Sequence, residues 1–108
     1  MAINLPHPLG PYYEAKNRQD LDAIIDMFAP DAIVLDEGNV LRGHKEIYGW
    51  MERTAKRLAV QSEVIAARQE GGRDVVTAIV SGDFKGSPVK LSYAFTLKDG
   101  KIARLEIA

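Results

Sequence analysis

Cysteine is absent from this chain of 108 residues, which excludes a disulfide framework, a thiolate zinc site and a thiol nucleophile. Basic residues are not in excess, since 14 lysines and arginines are offset by 15 aspartates and glutamates. Long apolar runs are missing too: Ala32–Leu35 is far too short to span a bilayer, and residues 1–6 lack the basic region and apolar run of a signal peptide. We therefore expect a cytoplasmic protein whose partners include neither nucleic acid nor a membrane.

Signatures of metal and phosphate sites are also scarce. The two histidines, His7 and His44, are too far apart in sequence to pair on one helix. Gly71-Gly72 joins two predicted strands and does not open a helix, so it is not a phosphate-binding loop. We predict no metal site and no cofactor.

The chain does contain enough apolar residue for a real core, because 46% of its residues are hydrophobic. A length of 108 residues fits one domain. We therefore expect a single domain over residues 1–108, whose first eight residues form an extended lead-in.

Three helices are predicted in the first half of the chain. The first is predicted over 9–17, where four residues have the spacing of one helix face: Leu9, Tyr12, Tyr13 and Lys16. Asp20 is the predicted N-cap of the second helix, which we expect Pro30 to end. The third covers 44–58.

Most of the strands follow these helices. Along 89–98, apolar residues alternate with polar or small ones, so one face of that strand is expected to be buried. Asp99-Gly100 is a hairpin signal. Helices followed by an antiparallel meander indicate an α+β fold, with six predicted strands: 32–36, 40–42, 60–70, 75–84, 89–98 and 101–107.

Several segments of this pattern resemble one known superfamily: Tyr12-Tyr13, Asp20-Leu21-Asp22, Phe28-Ala29-Pro30-Asp31-Ala32, Gly43 with Ile47, and the hairpin from Phe95 to Ile102. The order of elements and these residues, spanning about 9 to 107, resemble the nuclear transport factor 2-like superfamily, in its ketosteroid isomerase and SnoaL-like polyketide cyclase branch. The resemblance implies a cone-shaped, cystatin-like half-barrel, in which three helices pack on a curved antiparallel sheet around an apolar pocket. It also implies a homodimer formed through the outer face of the sheet, where Ser92, Ala94 and Thr96 would lie.

The resemblance also implies three catalytic residues. Tyr12 matches an oxyanion-donating tyrosine, Asp36 matches a proton-shuttling aspartate, and Tyr93 stands where ketosteroid isomerases carry a second, protonated aspartate. Removing a proton next to a carbonyl needs a base and hydrogen-bond donors at the developing oxyanion. A tyrosine, neutral at pH 7, can donate in place of a protonated aspartate. We expect four further residues to contact the ligand: Trp50, Phe28, Tyr13 and Phe95.

Each of these residues also has a purely structural interpretation. Asp36 precedes a glycine turn, where aspartate usually caps the backbone. Tyr93 lies in an apolar row and fits a core aromatic, and Tyr12 or Tyr13 fits a contact that fixes the first helix to the sheet. Two functions therefore remain. The first is binding of a small hydrophobic molecule with cofactor-independent isomerase, cyclase or dehydratase chemistry on a carbonyl compound. The alternative is a non-catalytic small-molecule-binding or dimerisation module.

Overall fold

The computed structural model describes residues 3–108, apart from the side chain of Lys56. Of the predicted lead-in, residues 1–2 lie outside the described residues, 3–6 have no regular secondary structure and 7–8 form a turn. Ten elements follow: α1 Leu9–Arg18, α2 Leu21–Asp26, β1 Phe28–Asp36, β2 Asn39–Arg42, α3 Gly43–Met51, a π-helical turn Glu52–Lys56, β3 Gln61–Glu70, β4 Arg73–Ser81, β5 Val89–Lys98 and β6 Lys101–Ile107.

The strands form one six-stranded open sheet in the order β2-β1-β6-β5-β4-β3, with the three helices packed against it. The predicted antiparallel meander from β3 to β6 is confirmed. The sheet is not antiparallel throughout, because β1 pairs with β6 in parallel. This parallel pairing carries the end of β1, and therefore Asp36, beside Ile107 at the end of β6.

The second helix is shorter than predicted. Asp20 does cap it, since its carboxylate accepts a hydrogen bond from the Ala23 N–H at 3.2 Å. The helix ends at Asp26, however, because the Met27 carbonyl accepts the Ile102 N–H at 2.8 Å and Phe28 already pairs with Ile102 in the sheet. Pro30 therefore lies inside β1, where the register with β6 shifts and its missing N–H costs no regular ladder bond.

The predicted third helix also changes character along its length. It is α-helical only to Met51 and continues as a π-helical turn over Glu52–Lys56. Its end approaches the loop after β4, where the Asp83 N–H donates to the Leu58 carbonyl at 2.7 Å. A Cβ atom on Gly82 would lie 2.6 Å from that carbonyl oxygen, so the chain needs glycine there. This close approach ends β4 at Ser81 and not at the predicted residue 84.

The core lies between the helices and the inner face of the sheet. On β5 the predicted alternation places Tyr93 and Phe95 inward, and both are almost fully buried. From α1, Leu9, Tyr12 and Tyr13 pack against them from the opposite side. The aromatic rings meet mainly edge to face, the geometry preferred by their quadrupoles.

Candidate functional site

A cavity of about 440 Å³ opens beside this aromatic core, between the helices and the inner face of the sheet. Its size falls within the range usual for small-molecule sites. Its apolar wall is formed by Ile24, Trp50, Met51, Ala55, Leu58, Val60, Val80, Phe84, Val89, Leu91 and Ile107. Polar groups are few, and two of them, Glu37 and Lys85, are exposed residues.

Asp36 reaches this cavity from the last position of β1. Its Oδ2 accepts a hydrogen bond from the Trp50 Nε1–H of α3 at 3.0 Å. The carboxylate is therefore held by a side chain of the cavity wall, not by the backbone of the Glu37–Gly38 turn. Trp50 itself lines the cavity, so the bond fixes both the base candidate and the largest apolar wall residue.

Tyr93 lines the same cavity from β5. Its Oη accepts a hydrogen bond at 3.2 Å from the Nζ of Lys16, a buried lysine on α1. Because that bond uses an oxygen lone pair, the phenolic hydrogen of Tyr93 stays available for another acceptor. Burial raises the pKa of Tyr93 to about 12; the nearby Ser62 hydroxyl opposes this effect and the charge of Asp36 adds to it. The phenol therefore stays neutral and able to donate.

Tyr12 also lines the cavity, one helical turn before Lys16 on α1. Burial raises the pKa of Tyr12 far above its ordinary value, and the nearby Tyr93 and Asp36 act in the same direction. The structure thus brings Tyr12, Asp36, Trp50 and Tyr93 to one cavity.

Lys16 is a buried polar residue of the cavity whose role the sequence did not indicate. Its side chain is almost fully buried, and its Nζ lies 4.6 Å from the centre of the Tyr93 ring. Burial lowers the pKa of Lys16 to about 8, although the nearby Asp36 carboxylate opposes this effect. The one available signal was its helical spacing with Tyr12 and Tyr13, which places all three on one face of α1.

Three predicted ligand contacts lie elsewhere. Phe28, Tyr13 and Phe95 belong to the buried aromatic core and do not line the cavity. Phe28 starts β1, at the opposite end of that strand from Asp36, and Phe95 lies one inward position beyond Tyr93. The Tyr13 hydroxyl is buried without a hydrogen-bond partner. The structure therefore gives these three residues packing contacts and no access to the cavity.

Neither a cluster of metal-binding side chains nor a helix that could cross a membrane is present in the described part of the chain. Within residues 3–108, no three histidine, aspartate or glutamate side chains come together in a way that could hold a metal ion. His44 lies outside the cavity, and its Nε2 is 2.8 Å from the Phe28 carbonyl oxygen. None of the described helices has the length and apolar character needed to cross a membrane.

Comparison with known families and structures assigns the chain to a family. The family described as the SnoaL-like domain matches residues 11–105, almost the whole chain. The chain belongs to this SnoaL-like domain family. Among curated proteins, no sequence matches it significantly.

Solved structures agree with this assignment. A Sinorhizobium meliloti protein, provisionally named a polyketide cyclase, is 43% identical to this SnoaL-like domain, with a TM-score of 0.91 over 96% of this chain and 95% of that one. A Catenulispora acidiphila protein with a ketosteroid isomerase-like fold, solved with trimethylamine, is 20% identical, with a TM-score of 0.82 over 97% and 86% of the two chains. A nuclear transport factor 2-like protein from Cytophaga hutchinsonii is 14% identical, with a TM-score of 0.79 over 100% and 93%. The last two likenesses concern the fold alone.

In this SnoaL-like domain, the cavity groups that are not exposed include one carboxylate, two neutral phenols and one amine. A carboxylate can accept a proton from a carbon acid, and neutral phenols can donate to an oxygen that becomes negative. The apolar wall limits competition from water for those hydrogen bonds and strengthens them. The arrangement therefore has the groups that enolisation of a carbonyl compound requires.

Proposed function

We propose that this SnoaL-like domain binds a small apolar carbonyl compound in the cavity and transfers a proton on it without a cofactor. The observation that carries the proposal is the position of Asp36: its carboxylate lines the same cavity as the hydroxyl-bearing rings of Tyr12 and Tyr93. A carbonyl compound bound there would have a base on one side and phenolic donors on the other.

The proposed reaction begins when Asp36 takes a proton from the carbon next to the carbonyl. The electron pair moves onto the carbonyl oxygen, where Tyr93 and Tyr12 donate hydrogen bonds to the developing enolate. The Lys16 ammonium supports Tyr93, because its bond to the Tyr93 Oη strengthens that phenol as a donor. Asp36 then returns the proton to a different carbon, which moves a double bond.

The same intermediate leads to cyclisation or to dehydration. An enolate carbon that attacks a second carbonyl of the same molecule forms a ring, and an enolate with a hydroxyl at the next carbon loses it as water. The provisional name of the 43% identical Sinorhizobium protein favours cyclisation among these outcomes. All three reactions need the base and the donors that Asp36, Tyr12 and Tyr93 would provide.

Turnover of cyclohex-3-enone, a β,γ-unsaturated ketone, tests this proposal. Its conversion to the conjugated enone is followed by ultraviolet absorbance. We expect Asp36→Asn to lower the rate by roughly 100-fold, the usual size of a general-base contribution. Asp31→Asn is the matched control, because Asp31 is an exposed residue of the same strand.

Fluorescence of Trp50, the single tryptophan, measures ketone binding in the same samples. Loss of turnover in Asp36→Asn with binding retained supports the proposal. Equal turnover in Asp36→Asn and the wild type contradicts it. Binding without turnover in either protein favours the non-catalytic binding module.

We further propose that two copies pair through the outer face of the sheet. Ser92, Ala94 and Thr96 are half-buried residues of β5 that point away from Tyr93, and Ala94 lies beside Val75 of β4. These short side chains would let a second sheet approach closely. Sedimentation equilibrium should show a dimer that Ala94→Lys converts to a monomer, whereas a monomeric wild type would contradict this pairing.

A further inference from the structure

Lys16 has surroundings that are unusual for a lysine. Its side chain is only 8% exposed, although lysine is almost never buried unless it is paired. Among the ion pairs of residues 3–108, none includes Lys16. Its Nζ instead bonds to a neutral phenol, the Tyr93 Oη. In the proposed proton transfer by Asp36, this amine serves only as a hydrogen-bond donor to Tyr93. That reaction makes no use of the Lys16 amine as a nucleophile.

The groups that face the amine determine its protonation. Tyr12 and Tyr13 of α1 place their ring centres 5.9 and 5.8 Å from Nζ, and Tyr93 of β5 lies closer, while Asp36 of β1 acts through its charge. Burial outweighs these favourable contacts and lowers the pKa of Lys16 to about 8. Near that pH, about half of the molecules carry a neutral amine, which is the nucleophilic form.

We propose that Lys16 forms an imine with aldehydes or ketones that enter the cavity. Lys16, Tyr93 and Asp36 all line the same apolar cavity, so a carbonyl group held there meets an amine together with two groups that can exchange protons. The ligand class is an uncharged aldehyde or ketone, since the wall around these groups is largely apolar.

The step proceeds through a carbinolamine. The Nζ lone pair forms a bond to the carbonyl carbon while the C=O π electrons move to oxygen, which takes a proton from Tyr93. The nitrogen gives up a proton to Asp36, and the phenolate recovers it through that carboxylate or water. The hydroxyl group then takes a proton from Tyr93 and leaves as water while the nitrogen lone pair forms the C=N bond, and the resulting iminium returns its N–H proton to the Tyr93 phenolate through Asp36 or water. One amine and one carbonyl compound thus give one imine and one water.

This activity goes beyond the proposed proton transfer and does not depend on it. An enolate held by Tyr12 and Tyr93 needs no covalent bond to the protein, whereas an imine needs none of the isomerisation steps. The two proposals also fail separately. Asp36→Asn tests the base by turnover, and covalent labelling of Lys16 in the wild type tests the amine.

Reductive trapping with benzaldehyde and sodium cyanoborohydride tests the proposal on the wild-type chain. Peptide mapping by mass spectrometry reports the benzylation rate of each lysine and separates Lys16 from the α-amino group. Lys90, an exposed residue of β5, is the internal comparison. At pH 8 we expect Lys16 to react at least about tenfold faster than Lys90, because burial lowers the pKa of Lys16 to about 8 and leaves about half of its amines neutral.

Two further arms complete the experiment. The Lys16 rate should rise with a midpoint near pH 8, and unfolding the chain in urea should reduce it to the Lys90 rate. A Lys16 rate in the folded protein no greater than that of Lys90, or an equal preference in the unfolded chain, would overturn the proposal. Because every arm uses the wild-type sequence, the result does not depend on whether a variant folds.

Discussion

Replacing Lys16 with Met removes the buried amine while keeping a long unbranched side chain. In the unfolded chain the amine has its ordinary pKa of 10.5, whereas burial lowers the pKa to about 8 in the folded protein. At about 1.4 kcal/mol for each unit, holding the ammonium in the folded state costs about 3 kcal/mol at pH 7. Removing the amine relieves this cost.

The pH dependence gives the sharper test. Between pH 8 and 10.5 the unfolded chain binds more protons than the folded chain, so the wild type becomes more stable as the pH rises. Lys16→Met lacks this group. From pH 7 to 9.5 the free energy of unfolding of the wild type should therefore rise by about 2 kcal/mol relative to the variant. Higher pH is avoided, because tyrosines such as Tyr93 have a raised pKa and contribute with the opposite sign.

Urea unfolding at several pH values, followed by Trp50 fluorescence, measures this difference. Lys90→Met is the control, because it makes the same substitution at an exposed residue of β5 and removes no buried amine. A constant difference between wild type and Lys16→Met from pH 7 to 9.5 would refute the argument from burial. It would show that the amine titrates alike in the folded and unfolded chains.

Three other substitutions test the packing of the fold by the same unfolding measurement. Tyr13→Phe removes a buried hydroxyl that has no hydrogen-bond partner, so it should leave stability unchanged or raise it by about 1 kcal/mol; a loss of stability would show that this hydroxyl is bonded in solution. Gly82→Ala places a Cβ atom 2.6 Å from the Leu58 carbonyl oxygen, so it should destabilise the fold by about 1–3 kcal/mol. Gly49→Ala is its counterpart, because the new Cβ meets only the flexible Arg53 guanidinium at 3.3 Å and should stabilise α3 by about 0.5–1 kcal/mol. If both glycine variants change stability equally, the close approach at Gly82 does not matter.

Sequence patterns predicted the fold where local rules and tertiary contacts agree. The alternation along β5 placed Tyr93 inward, and Asp20 signalled the start of α2 through capping chemistry. The end of α2 was predicted wrongly, because the strand contact of Phe28 with Ile102, distant in sequence, outweighed the local helical spacing. Local propensity carries no information about such a pairing.

The sequence indicated the carboxylate and the two phenols of the candidate site as candidates, but it did not indicate the amine of Lys16. The family resemblance pointed to Tyr12, Asp36 and Tyr93, which the structure brings to one cavity. Lysine is normally exposed, so its place on the inward face of α1 was not recognised as functional. Its burial depends on the approach of Tyr93, 77 residues later in the chain. Phe95 shares the inward face of Tyr93 but lies roughly 7 Å further along the strand, beyond the cavity.

Hydrogen exchange at the carbon next to a carbonyl tests most directly whether Asp36 removes protons in this cavity. Cyclohexanone in deuterated water is followed by proton NMR with wild-type protein, with Asp36→Asn and with buffer alone. We expect deuterium incorporation well above the buffer rate with the wild type, and a rate near that of buffer with Asp36→Asn. Wild-type exchange no faster than buffer, or equal exchange with both proteins, would contradict the role of Asp36 as a base.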